Sequence, residues 1–331
     1  MEFKTLSITT ALAHNKKLCL LVGGTAVCVG LVAWRCFRPA EEEEKKVRVG
    51  VVSQLLIHPL KSGRAVSVAL AECLEMGLKH GELRDRHWLV VTEDGHMVTG
   101  RQQPRLVLVS LTYDHGRLCL SGPDMEEMHM ALEEHDNPVL DCRVFGDDIQ
   151  GRDCGDEAAR WLTLYLGGEK AFRLVHYEAH MEPRRSASME KLFSPEERVA
   201  YPDVGPVLLL SEASVGDLNA KLEKDVTVER FRPNIVVGDC NAFEEDTWTD
   251  LLIGDVRLQR VMSCGRCVFT TVDPETGVIT RKEPLDTLKG YRQCKPSESE
   301  IYKKAPLFGQ LFTVKKTGIF QVGDVVYKIG H

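Results

Sequence analysis

The chain has 331 residues, 43% of them hydrophobic and 27% charged, enough apolar material for one large core or two moderate ones, which argues against a disordered chain. Its formal net charge is −7, and because residues 1–38 carry Lys4, Lys16, Lys17, Arg35 and Arg38 against Glu2, a balance of +4, the remainder stands at −11. An acidic body repels phosphate backbones at long range, so nucleic acid is set aside as a partner class.

In chain order, residues 1–17 read as an N-terminal targeting segment. Leu18–Trp34, LCLLVGGTAVCVGLVAW, is an uncharged run of 17 residues, at the short end of what crosses a bilayer as a helix, with Lys16 and Lys17 before it and Arg35 and Arg38 after. A buried core helix is the plainer alternative. The run is apolar all round, however, and a hydrophilic stretch follows it, so residues 18–34 read as a transmembrane signal anchor and residues 39–46 as a charged, solvated linker. Trp34-Arg35-Cys36-Phe37 is not a small-residue cleavage site, so the anchor is expected to be retained. Positive charge at both ends leaves the orientation open. Eight cysteines in the body, with no N-x-S/T acceptor, look more like reduced thiols than a secreted disulfide framework, which places the body on the cytosolic side.

From Val47 onward, short strand-like runs alternate with turn signals. VGVVSQLLIHPL and HWLVVTEDGHMVTG are rich in β-branched and aliphatic residues, RLVLVSLTYDHGRLCLSG reads as a hairpin about Asp114-His115-Gly116, and CRVFGDDIQGRD reads as another. Helical patterns are fewer: Asp156 to Gly167, SEASVGDLNAKLEK with Ser214 and Asp217 as a capping pair, and EPLDTLKGYR. LFGQLFTVKKTGIFQVGDVVYKIG closes the chain as β structure. The fold class is therefore α+β, mainly β, with no repeat and no βαβ alternation of the doubly wound kind. Polar residues in HYEAHMEPRRSASMEKLF mark an inter-domain boundary, giving an N-terminal β-rich domain over 47–178 and a second domain over 179–331.

Cys264 and Cys267, in RVMSCGRCVFTTVDPETGVITRKEP, are the most chemically suggestive pair. A structural zinc site needs four ligands, and no second C-x-x-C supplies the other two. A redox dithiol opens a helix after a strand, whereas this pair precedes what reads as a β-hairpin with a Pro-Glu-Thr-Gly turn. Two buried, inert cysteines remain the third reading.

Four separated motifs, IHPLKSG, LRDRHWLVV, FRPNIVV and MSCGRCVFTTVDPETG, occur in an order that resembles MOSC-domain proteins carrying an N-terminal MOSC β-barrel domain. With the anchor ahead of them, the resemblance is to the vertebrate mitochondrial amidoxime-reducing components, and it covers the chain from Val47 to its end. It implies a MOSC β-barrel domain behind a β-rich MOSC N-terminal domain, and a molybdenum cofactor, Mo-molybdopterin, with a protein thiolate on the metal. That ligand is then Cys267, the catalytic residue, while Cys264 is left to packing. A thiolate suits a soft, sulfur-ligated metal, and Arg266 beside it helps to keep the sulfur deprotonated. Lys61 and Ser62 of HPLKSG, Arg86 of RDRHW, and Arg232 and Asn234 of FRPN are implied cofactor contacts, as are Gly265 and Arg266. Asp203 and Gly205 of YPDVGPV belong to the same set, although that segment matches the family pattern less closely.

The implied reaction is reduction of N-hydroxylated compounds: amidoximes, hydroxylamines and N-hydroxyguanidines. No G-x-G-x-x-G follows a strand, and VGGT lies inside the apolar run, so electrons must come from a partner. The resemblance implies cytochrome b5 and NADH-cytochrome b5 reductase, with the chain in the mitochondrial outer membrane as a single-pass protein. A membrane-anchored carrier of molybdenum cofactor or sulfur without turnover is the alternative.

Overall fold

A computed structural model describes residues 45–132, 136–185, 192–194 and 196–330. The targeting segment, the proposed anchor at 18–34 and most of the charged linker lie outside the described residues, and among the described residues no helix is long and apolar enough to cross a membrane. Lys45 and Lys46, the last linker residues, already begin the first strand.

The described body is mainly β. In chain order it runs β1 (Lys45–Ile57), β2 (Val66–Val68), β3 (Leu70–Leu74), β4 (Gly77–His80), β5 (Leu83–Arg84), β6 (Trp88–Thr92), β7 (Ser110–Asp114), β8 (Arg117–Ser121), β9 (Met128–Met130), β10 (Val139–Val144) and β11 (Asp147–Asp153), followed by α1 (Asp156–Tyr165) and β12 (Phe172–His176). The second half runs β13 (Val207–Ser211), α2 (Glu212–Asn219), β14 (Ile235–Gly238), β15 (Asp250–Ile253), β16 (Val256–Gly265), α3 (Leu285–Tyr291), α4 (Ser299–Tyr302), β17 (Leu307–Lys316), β18 (Gly318–Gln321) and β19 (Val325–Gly330).

Seven strands close into a barrel in the order β14-β13-β17-β16-β15-β19-β1, with β1 returning to pair antiparallel with β14. Val207, Leu209, Ile235, Val237, Phe312 and Trp248 fill its interior, all fully buried. The alternate residues Leu210 and Val236 join a different cluster with Val215 and Leu218 of α2. Covered on both faces, β13 is therefore continuously apolar over its first four residues, VLLL, rather than alternating. β13 and β14 are parallel and α2 lies in the crossover between them, a single βαβ unit that the sequence pattern did not show.

β2 pairs antiparallel with β1 beside the barrel, and the remaining strands form a sheet β10-β11-β12-β6, a sheet β7-β8-β9 and a sheet β18-β3-β4-β5. Helix α1 buries Ala158, Trp161, Leu162 and Tyr165, the i, i+3, i+4, i+7 stripe of an amphipathic helix, against Leu118 and Leu120 of β8. Sheet membership crosses the chain order: β1 belongs to the barrel with strands beyond residue 207, and β18 pairs with β3.

Both expected hairpins form. Asp114 pairs with Arg117 across His115 and Gly116, and Val144 pairs with Asp147 across Phe145 and Gly146; both turn pairs have positive φ, which matches the right-handed strand twist. Two local expectations are corrected. The cap of α2 is Ser211, whose hydroxyl accepts from the Ser214 backbone N at 3.1 Å, rather than Ser214 with Asp217. The segment after Cys267 begins as a 3₁₀ turn, Val268–Thr271, because Thr270 and Thr271 hydroxyls bond back to the Cys267 and Val268 carbonyls, and the expected hairpin is reduced to one antiparallel bridge, Val272 to Ile279, about the Pro-Glu-Thr-Gly turn.

Barrel closure leaves no room at Gly50. A Cβ there would lie 2.5 Å from Val237 Cγ1 and 2.7 Å from the Gly238 carbonyl oxygen. Gly50→Ala is expected to lower stability by about 1–3 kcal/mol, the usual cost of overpacking, as read by chemical denaturation of the body; an unchanged midpoint would show that β1 and β14 separate freely.

Candidate functional site

The ten residues singled out from the sequence come from five separated segments, and all of them line one cavity of about 320 Å³. Lys61 and Ser62 sit just past β1, where the Lys61 N–H donates to the Trp88 carbonyl at 2.8 Å. Arg86 lies between β5 and β6, its N–H held by the His58 carbonyl at 2.7 Å. Asp203 and Gly205 precede β13, Arg232 ends the 3₁₀ turn Val228–Phe231, Asn234 leads into β14, and Gly265 ends β16 with Arg266 and Cys267 following. Ser62, Arg86 and Arg232 all have φ near +60°, a conformation that side chains other than glycine adopt only at a cost of roughly 1–3 kcal/mol each.

Among the described residues, six cations, Lys61, Arg86, Arg101, Arg230, Arg232 and Arg266, line the cavity against a single lining carboxylate, Asp203. In an acidic protein this is a local reversal of sign, and it suits an anion. Lys61 Nζ donates to the Tyr201 carbonyl at 2.7 Å and pairs with Asp203. Burial pushes Lys61 down to about 8, only partly offset by Asp203. Desolvation acts to raise the Asp203 carboxyl, but the Lys61 ammonium, with Arg86 and Arg101, outweighs it and holds it below its ordinary value. Burial, with Arg86 close by, lowers Arg232, whose Nη1 donates to the Gly63 carbonyl at 2.6 Å while its Nη2 is buried with no partner among the described residues. Arg266 is similar: Nε and Nη1 donate to the Phe308 and Phe231 carbonyls at 2.7 and 2.9 Å, and Nη2 is buried without a partner. Two buried, unpaired guanidinium nitrogens are costly unless something outside the chain accepts from them.

Asp85, which the sequence reading passed over, organises this wall. Its fully buried carboxylate accepts from the His58 N–H at 2.8 Å and from Asn234 Nδ2 at 2.9 Å, and it pairs with Arg86. Arg86 Nη2 reaches on to the Arg232 carbonyl at 3.1 Å. Asn234 is thus committed to the protein: Nδ2 also donates to the Leu56 carbonyl at 3.2 Å, and Oδ1 accepts from the Leu208 N–H at 3.1 Å. It shapes the wall with its polar atoms already occupied.

The two cysteines differ. Both line the cavity, but Cys267, just past β16, is exposed, whereas the partly buried Cys264 packs against the apolar cluster of Phe193, Met262, Tyr302 and Leu311, and burial raises its thiol. Phe145 was read only as part of a hairpin turn. It is 41% exposed, lines the cavity, and lies 4.9 Å from Lys61 Nζ and 5.4 Å from the Arg101 guanidinium. Phe269, 5.7 Å from the Arg232 guanidinium, was likewise missed. Bulky residues beside turns were the sequence signal, but which turn meets the cavity is a tertiary matter.

The MOSC N-terminal beta barrel domain description matches residues 49–169, and the MOSC domain description matches residues 196–327. The chain is 58% identical over 328 residues to the zebrafish (Danio rerio) protein named mitochondrial amidoxime-reducing component 1, covering 98% of each chain. It is 52% identical to the human (Homo sapiens) component 1, covering 94% of this chain and 92% of that one. Against the human component 2 it is 51% identical, with 93% and 92% covered.

Two outcomes test the electrostatics. Asp85→Ala leaves Arg86 uncompensated in a largely buried position and is expected to cost about 3–5 kcal/mol in chemical denaturation. Because Lys61 loses its charge as pH rises through about 8, inorganic phosphate is expected to bind the cavity more weakly at pH 9 than at pH 7. In isothermal titration that loss should flatten in Lys61→Met; an identical pH dependence in the variant would remove Lys61 from the anion site.

Proposed function

Since the chain belongs to the mitochondrial amidoxime-reducing components, a family of MOSC-domain proteins, we propose that it is a molybdenum-cofactor-dependent oxidoreductase that reduces N-hydroxylated compounds. The observation that carries this reading is the convergence of ten residues from five segments on one cationic cavity with an exposed thiol. The residues fit the cofactor: Cys267 offers a soft sulfur ligand, and the unpartnered Nη2 atoms of Arg232 and Arg266 are donors in need of an anionic acceptor.

In this reading Cys267 ligates the metal. Lys61, Arg86, Arg232 and Arg266 hold the pterin and its phosphate through charge, with the Ser62 hydroxyl, Asp203, Gly205 and Gly265 completing the wall. Asn234 contributes by fixing Asp85 and, through it, Arg86. When bound, the molybdenum centre supplies two electrons, which with two protons break the N–O bond and release the amidine or amine and water. Lys61 Nζ is protonated at pH 7 yet gives up its proton close to neutrality, which makes it a proton donor of suitable strength within the cavity.

Electrons arrive from NADH through cytochrome b5 reductase and cytochrome b5. The absence of a dinucleotide fingerprint in the sequence supports an external donor. The mitochondrial names of the relatives and the apolar run at 18–34 support a single-pass anchor in the mitochondrial outer membrane, with the body facing the cytosol. Confinement to one membrane raises the effective concentration of the partners. The proposed domain limits remain 47–178 and 179–331.

The test compares the two cysteines in the cofactor-loaded full chain. Cys267→Ser is expected to keep its pterin and its fold while losing benzamidoxime reduction with the electron partners present. Cys264→Ala should stay active and lose only about 1 kcal/mol of stability. Elemental analysis should give about one molybdenum per chain. An active Cys267→Ser enzyme overturns the ligand assignment, and bound cofactor without turnover in the parent chain makes the protein a carrier.

A further inference from the structure

The sheet β7-β8-β9 carries a second cluster of metal-binding side chains, away from the residues that line the candidate site. Its strands turn alternate residues to two faces. Leu111, Leu118, Leu120 and Met130 belong to the core, with Tyr113 and Met128 packed against it. The intervening residues therefore share the other face. Thr112 pairs with Cys119 and Cys119 pairs with His129, so the three stand in one row across the sheet, and Glu127 lies two residues before His129 on the same face. The Cys119 sulfur, a ring nitrogen of His129 and a carboxylate oxygen of Glu127 all lie within 4.8 Å of one another. Cys119 is only 7% exposed, whereas Glu127 and His129 are exposed.

We propose that Cys119, Glu127 and His129 bind a borderline divalent metal ion, with zinc as the natural occupant, tying the edge strand β9 to β8. Sulfur, imidazole nitrogen and carboxylate oxygen are the donor set that zinc takes, and three protein ligands leave the fourth position to water. Zinc bonds of about 2.0–2.3 Å bring ligand atoms closer together than the observed upper limit, so only a small rotation of the two exposed side chains is needed. Thr112 hydrogen-bonds the Cys119 sulfur, and the charges of Glu127 and Asp114 favour a cation beside it. Zinc takes cysteine as the thiolate, so metal entry releases the Cys119 proton to solvent as the sulfur–metal bond forms.

Cobalt(II) titration of the full chain, with zinc as competitor, reads the site through sulfur-to-metal charge transfer. One equivalent should give a band that zinc removes. The band should be absent in Cys119→Ser, retained in Cys267→Ser, and should require about tenfold or more cobalt in His129→Gln and in Glu127→Gln. His129 and Glu127 are exposed, so these two variants should unfold at the parent's temperature in the presence of chelator, which separates metal loss from misfolding. A band unchanged in Cys119→Ser, or parental affinity in both exposed variants, overturns the proposal and leaves the cluster as a thiol–carboxylate hydrogen bond.

Discussion

The candidate site hangs on one buried carboxylate. Asp85 is fully enclosed, and a charge in that position is tolerated only where donors surround it. The donors come from three places in the chain: the His58 backbone at the end of β1, the Arg86 guanidinium next in sequence, and the Asn234 amide before β14. Because Asn234 also grips Leu56 and Leu208, the same contacts fasten β1 to the β13–β14 pair and so bear on closure of the barrel. The cavity wall and the barrel seam share this one knot of hydrogen bonds.

Around that knot the chain accepts several local costs. Ser62, Arg86 and Arg232 hold left-handed backbone conformations, Lys61 is buried enough to shift its titration towards neutrality, and two guanidinium nitrogens are buried without partners. Each is unfavourable alone, and their clustering in one cavity marks it as a functional region. The rest of the fold follows ordinary rules by comparison: barrel strands bury alternate residues, and α1 buries one stripe.

The fold was legible where the signal is local. The turn at Asp114-His115-Gly116 and the run CRVFGDDIQGRD located the hairpins, and the helical pattern from Asp156 to Gly167 located α1. The α2 cap was misread because two serines stand three residues apart. Both take part: Ser211 accepts from the Ser214 N–H, and both hydroxyls reach the buried Glu245 carboxylate, 31 and 34 residues further on. The hairpin expected after Cys267 is cut to a single bridge for a related reason, since threonine hydroxyls bond the local backbone and draw Val268–Thr271 into a 3₁₀ turn despite strand-like composition.

The sequence by itself determined that the fold is mainly β, and its motifs, through the family resemblance they carry, singled out ten candidate residues. Tertiary structure alone decided that these residues share one cavity, that Asn234 spends its polar atoms on the protein, that Cys267 rather than Cys264 is exposed, and that Asp85 and Phe145 belong to the site. The physical reason is range. Hydrophobic periodicity and turn chemistry act over a few residues and are written in composition. The desolvation that makes Asp85 require its donors, by contrast, arises only once segments up to 149 residues apart have been brought into contact.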